Sequence, residues 1–191
     1  MMPEKSRLDT GPPYDARAVA NLMLDQASAL GIELTNLVLQ KLLYFAHGHH
    51  LIRYHAPLLT GHFEAWTYGP VHPGVYQAFR SEADRPVRIR AHARNVMSGL
   101  TRPLAVPAHP RTHEIVQYVL STFGRLPAGR LIDIAHAPGG PWHYVKNKAE
   151  TSIALGLRIP DSVTIERFRF QKVSVGPRSA AGEPSEDTPL V

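Results

Sequence analysis

Between residues 15 and 54 the apolar positions repeat with the period of an α-helix, and two helices are predicted from them. Over Asp15 to Leu30, Val19, Leu22, Met23, Ala27 and Leu30 line one face and Gly31 supplies a C-terminal stop, so this helix is expected to pack on one side. From Thr35, a suitable N-cap, to about Tyr54 the apolar arc is wider and takes in Val38, Leu39, Leu42, Leu43, Phe45 and Ala46. This second helix is expected at the centre of the core. Gln40, Tyr44 and His47 form its polar row, with Tyr44 reaching the surface.

After Pro57 the period changes to two. Phe63, Ala65 and Thr67 point one way and Glu64, Trp66 and Tyr68 the other, which predicts a short strand. Gly69 then allows a sharp turn, and Pro70 is placed at the first position of a helix carrying Val71, Val75 and Phe79. Alternation returns where Val87, Ile89 and Ala91 oppose Arg88, Arg90 and His92, and an extended piece near Leu104 to Val106 is expected to pair with it. Pro110 opens a helix through Ile115, Val116, Val119, Leu120 and Phe123, stopped by Gly124. A shorter helix covers Leu131 to His136 and is ended by "APGGPWHY", and Pro160 to Phe170 reads as a last helix. The fold class is therefore mainly α, a compact helical domain with a small antiparallel β element. Residues 1–14 are expected to be a flexible leader, 15–173 the folded domain, and 174–191, polar and rich in Pro, Gly and Ser, a disordered tail.

Composition narrows the chemistry. The 191 residues suit one domain, and 43% apolar against 19% charged residues describe a globular chain. The absence of cysteine excludes disulfides, thiolate metal sites and a cysteine nucleophile. No apolar stretch resembles a signal core or a membrane span, so a cytoplasmic protein without membrane attachment is expected. A net charge of +5 and a pI near 9.7 suit either nucleic acid or an acidic protein as partner.

Three histidines, His47, His49 and His50, crowd the second helix. On a helical wheel His47 falls in the polar row while His49 and His50 fall on the apolar arc, so they do not converge on one ion. No His-Glu-x-x-His, Gly-x-Ser-x-Gly, phosphate-binding loop or dinucleotide fingerprint is present. No enzyme is expected, and no catalytic, cofactor-binding or metal-ligating residue is assigned. The densest basic run holds Arg85, Arg88, Arg90 and Arg94; on a strand Arg88 and Arg90 share a face. Arg88, Arg90 and Arg94 are thus the candidates for contact with nucleic acid or an acidic partner, and a DNA-binding regulator using residues 85–94 is the alternative reading.

Three stretches, "LQKLLYFAHGHHLI" (39–52), "FEAWTYGPVHPGVYQAF" (63–79) and "LIDIAHAPGGPW" (131–142), together resemble the signature blocks of the SocA-like, or Panacea, antitoxin family, also called phage-associated GepA-like. The ordered set Trp66, Tyr68, Gly69, Pro70, Val71, Val75, Tyr76 and Phe79 is the most specific part. Two positions depart from the family pattern: His47 stands where members often carry Gln, and Ala135 replaces a threonine before His136, Pro141 and Trp142. The resemblance spans about residues 15 to 170. It implies a non-enzymatic antitoxin that binds a toxin protein encoded beside it, needs no cofactor, and acts as an adaptor delivering that toxin to the ClpXP protease. The residues assigned to partner binding are Tyr44 and His47 from the polar row with Trp66, Tyr68, Pro70 and His72 around the Gly-Pro corner.

Overall fold

The computed structural model describes residues 11–95, 97–151 and 157–170. In chain order the elements are α1 (Ala16–Ala29), α2 (Asn36–Tyr54), β1 (Phe63–Trp66), β2 (Gly69–Val71), α3 (Pro73–Phe79), β3 (His92–Arg94), β4 (Thr101–Pro103), α4 (Pro110–Phe123), α5 (Ala128–Ala135), α6 (Pro141–Thr151), β5 (Arg158–Ile159) and α7 (Asp161–Arg167). Short 3₁₀ turns follow α3 and α7. The architecture is mainly helical with small antiparallel sheets, as the sequence pattern predicts. None of the helices among the described residues is long and apolar enough to cross a membrane.

Both long N-terminal helices start at side-chain caps. The Asp15 carboxylate accepts from the Arg17 N–H, and Thr35 Oγ1 accepts from the Val38 N–H at 3.3 Å. α2 runs through the middle of the molecule, packed by α1, α4, α5, α7, α3 and β2. Its polar row does not reach water: Gln40, Tyr44 and His47 are all buried, as is the neighbouring Lys41. The expectation that Tyr44 lies at the surface is corrected here. The wheel identifies the less apolar side of α2, but strands and helices from later in the chain cover that side. α1 is likewise buried round most of its circumference, because α3 and the segment before β3 close over the face opposite α4.

The three-stranded sheet has the order β2-β1-β5, all neighbours antiparallel. Trp66 pairs with Gly69 across the two-residue loop Thr67–Tyr68, and Ala65 pairs with Pro70. The Gly-Pro corner expected to open a helix is therefore the start of β2. Pro70 is tolerated because β2 is an edge strand, and Pro73, three residues on, is the proline that opens α3. Gly69 has φ 107°, a conformation that requires glycine, and a Cβ there would also be crowded, 3.2 Å from Lys41 Cε and 3.3 Å from Ala135 Cβ.

Three further expectations shift. Strand pairing after Pro86 falls at residues 92–94 with 101–103, not at 86–92 with 104–106. Asn95 Oδ1 accepts from the N–H groups of Met97 and Ser98, and this local turn sets the register. "APGGPW" ends α5 but also opens α6 at Pro141, an element the turn residues concealed. The segment 160–170 is helical, as expected, after the two-residue β5. The Tyr14 N–H donates to the Leu58 carbonyl and the Tyr14 carbonyl accepts from the Thr60 N–H, tying the end of the expected leader to the loop before β1. Residues 1–10 and the expected tail, 174–191, lie outside the described residues.

Candidate functional site

The three signature stretches, far apart in sequence, meet on one flank of α2. Trp142, at the start of α6, donates its indole N–H to the Trp66 carbonyl at 2.8 Å. The His136 ring stacks on Trp142 with centroids 3.6 Å apart and planes 17° from parallel. Lys41 of α2 donates from Nζ to the Pro70 carbonyl at 3.2 Å. Gln40 reads the same hairpin: its Oε1 accepts from the His72 N–H at 2.9 Å, and its Nε2 donates to Asn36 Oδ1. Asn36 in turn donates to the Tyr76 carbonyl, and the Tyr76 ring packs edge-on against Trp66 at 4.8 Å. Each bond satisfies a backbone or amide group that burial would otherwise leave unpaired, a loss of about 1–3 kcal/mol apiece.

Burial sets the charge state of this cluster. It holds the His136 pKa down to about 3, with the nearby Lys41, Lys146 and His143 reinforcing the shift, so the ring is neutral at neutral pH. His136 Nε2 is buried with no hydrogen-bond partner among the described residues. His72 is also pushed down, first by burial. Its Nε2 donates to the Thr60 carbonyl at 2.9 Å, which leaves Nδ1 buried with no hydrogen-bond partner among the described residues. His72 is cradled by Gly61, where a Cβ would come within 2.5 Å of its ring.

A polar chain leads from this cluster towards solvent. The Trp66 indole donates to Glu64 Oε2 at 2.9 Å, Glu64 Oε1 lies 3.2 Å from His62 Nε2, and His62 Nδ1 lies 2.8 Å from Arg158 Nη2. The guanidinium is a donor, so His62 Nδ1 accepts and its Nε2 donates to Glu64. β1 and β5 hold these groups in register through the Glu64–Arg158 pair.

Of the residues assigned to partner binding, Tyr44, His47, Trp66, Pro70 and His72 are buried, and Tyr68 at the hairpin tip is half-buried. Trp66 is buried although it points opposite to Phe63 and Ala65, because Tyr76 covers the outer face of the sheet. The three α2 histidines diverge, as the wheel predicts. His47 Nδ1 accepts from the Leu59 N–H while its Nε2 faces Asp161 at 3.0 Å. His49 packs edge-on against Tyr118 and Phe168, and His50 Nδ1 lies 2.7 Å from the Ala56 carbonyl. Among the described residues no group of three or more His, Asp or Glu side chains is placed to hold a metal ion.

The arginine strip is dispersed. Arg88 pairs with Glu33 and Arg90 with Asp25, both at the rim of a groove of about 400 Å³ floored by Leu24, Ala27, Ile32, Leu34 and Val87. Only Arg94 lies on a strand, so the shared strand face expected for Arg88 and Arg90 does not form. The pattern from 86 to 91 is interrupted because the Asn21 amide clamps both backbone groups of Ala91, donating to its carbonyl and accepting from its N–H at 2.9 Å each. Sequence reading missed the interior role of Lys41, whose only signal is that it is the one lysine of α2, flanked by Leu39, Leu42 and Leu43. It also missed the β3–β4 hairpin as a protruding element, since Arg102, Met97 and Leu100 belong to no motif.

The family model described as "Antitoxin SocA-like, Panacea domain" matches residues 39–143, which include every signature residue in the cluster. The chain belongs to this family. A relative named Antitoxin SocA, from Caulobacter vibrioides (strain NA1000 / CB15N), is 48% identical over 175 residues, covering 92% of this chain and 93% of that protein. No solved structure matches the chain. Within the Panacea domain the signature residues make the hydrogen bonds and stacking that join α2, the β1–β2 hairpin and the α5–α6 turn.

Proposed function

We propose that this chain is an antitoxin that binds a toxin protein encoded beside it and delivers that toxin to the ClpXP protease. The observation that carries the reading is the near full-length identity to Antitoxin SocA, 48% over 92% of the chain. An alignment that covers 93% of the relative leaves the binding surface little room to be missing. The signature cluster supports a structural rather than a catalytic use of the histidines. His136 is neutral and stacked, His72 is enclosed, and His47, His49 and His50 face different neighbours. Toxin recognition then falls to the surface that this rigid interior supports. No specific observation favours the DNA-binding alternative, because Arg88 and Arg90 are each matched by a carboxylate.

The test has two arms. Inducing the neighbouring gene in a host lacking this chain should arrest growth, and co-expression of the chain should restore it. Purified toxin should be degraded by ClpXP in the presence of the chain and persist in its absence. Arrest that the chain does not relieve rejects the antitoxin role. Relief with the toxin left intact rejects delivery alone.

A further inference from the structure

The β3–β4 hairpin is set apart from the rest of the molecule. Of its six strand residues only Ala93 is even half-buried; His92, Arg94, Thr101, Arg102 and Pro103 are exposed. Its end carries Met97, 99% exposed, and Leu100, 72% exposed, the two most exposed of the large apolar side chains described. A pair of apolar side chains held in water at a hairpin end costs solvation and contributes no core.

The hairpin is nonetheless firmly rooted. Asn21, buried in α1, clamps Ala91 on both backbone groups, Arg17 donates to the His92 carbonyl, and Asn95 closes the turn. A protruding element fixed at its base loses little conformational entropy on docking.

Charge identifies what it fits. Along the approach to the hairpin Arg17 pairs with Asp15, Arg88 with Glu33 and Arg90 with Asp25, while Arg85 donates to the backbone carbonyls of Ser81 and Glu82. On the hairpin itself Arg94 and Arg102 form no ion pair among the described residues, and the register puts them on opposite faces of the ribbon. We propose that the β3–β4 hairpin is the docking element for an acidic partner protein, with Met97 and Leu100 entering an apolar depression and Arg94 and Arg102 meeting carboxylates at its rim. A protein fits better than nucleic acid. Two unpaired guanidiniums would neutralise about two phosphates, too few for tight binding at physiological salt, and the apolar end would face a polar backbone. Met is suited to an adaptable apolar contact, and arginines at a rim steer association.

The inference rests on the antitoxin reading, which makes the toxin the partner. The experiment is calorimetric titration of the full chain with the purified product of the neighbouring gene. Arg94→Glu/Arg102→Glu and Met97→Ser/Leu100→Ser should each weaken binding at least about tenfold, with an unchanged thermal midpoint, while Arg94→Lys/Arg102→Lys binds nearly as the parent does. Raising the salt should weaken the parent more than the Glu variant. If both double variants bind like the parent, the hairpin is not the docking element and the antitoxin reading stands. If the parent itself does not bind, both readings fall. If the Glu variant loses only affinity for a DNA duplex, the hairpin is a nucleic-acid contact and the proposal is overturned.

Discussion

Phe168 lies directly over Gly48. A Cβ at position 48 would stand 2.1 Å from the Phe168 ring, which is wedged against Tyr44 and His49 with centroids 6.0 and 5.1 Å away. In an open helix a glycine-to-alanine change would stabilise by up to about 1 kcal/mol. Here the sign reverses, because the turn after α7 docks into the notch. Gly48→Ala should destabilise by about 1–3 kcal/mol in urea unfolding. Combining it with Phe168→Ala should cost clearly less than the two single changes added together.

Trp142 should be the most sensitive of the signature residues. Trp142→Phe removes the hydrogen bond to the Trp66 carbonyl but keeps the stack on His136, for about 1–2 kcal/mol. Trp142→Ala removes both and should cost about 3–5 kcal/mol. Equal losses for the two variants in thermal or urea unfolding would show that the stack on His136 adds nothing beyond the hydrogen bond.

The pH dependence follows from His136. Its folded-state pKa is held down to about 3, against about 6.5 in the unfolded chain. Between these values the unfolded state binds the proton more readily, so the stabilising contribution is present above pH 6.5 and is lost as pH falls towards 3. His49, His50 and His72 are shifted in the same direction by burial. Stability should fall from pH 6.5 to 5, and His136→Phe should reduce that slope by up to about 1.4 kcal/mol per pH unit. An unchanged slope in the variant would show that the ring charges without cost.

Asn21 is the hinge pin of the hairpin. Asn21→Ala leaves the Ala91 N–H and carbonyl without their side-chain partner, a loss of about 2–4 kcal/mol over the two groups. Amide hydrogen exchange should accelerate across residues 92–103 more than in α2. Acceleration spread evenly through the chain would mean that the clamp serves the whole fold instead.

Tyr44→Phe should be close to neutral, within about 1 kcal/mol. The hydroxyl is buried beside the Thr164 side chain but makes no close hydrogen bond among the described residues, so removing it costs little. Because the side chain is fully enclosed, partner binding measured by titration should not change. A loss of binding at unchanged stability would show that α7 moves away from α2 when a partner docks.

Several elements were already determined by the amino-acid sequence alone. The limits of α2 follow from Thr35 as cap and an apolar arc that persists to Leu51, and those of α4 from Pro110 and Gly124, because capping and helical periodicity are properties of neighbours in sequence. The divergence of His47, His49 and His50 is likewise a consequence of 3.6 residues per turn. What only the tertiary structure decided is whether a polar row meets water. Gln40, Tyr44 and His47 read as an outer face, yet β2, α5 and α7 arrive from about 30 to 120 positions later and cover that side of α2. Pro70 could serve a helix start or an edge strand equally well, and pairing with Ala65 chose the strand. Arg88 and Arg90 lost their apparent basic strip to Glu33 and Asp25, carboxylates more than fifty residues away. Local pattern fixes which backbone conformation is cheap; which surface remains exposed depends on the distant segments that pack over it.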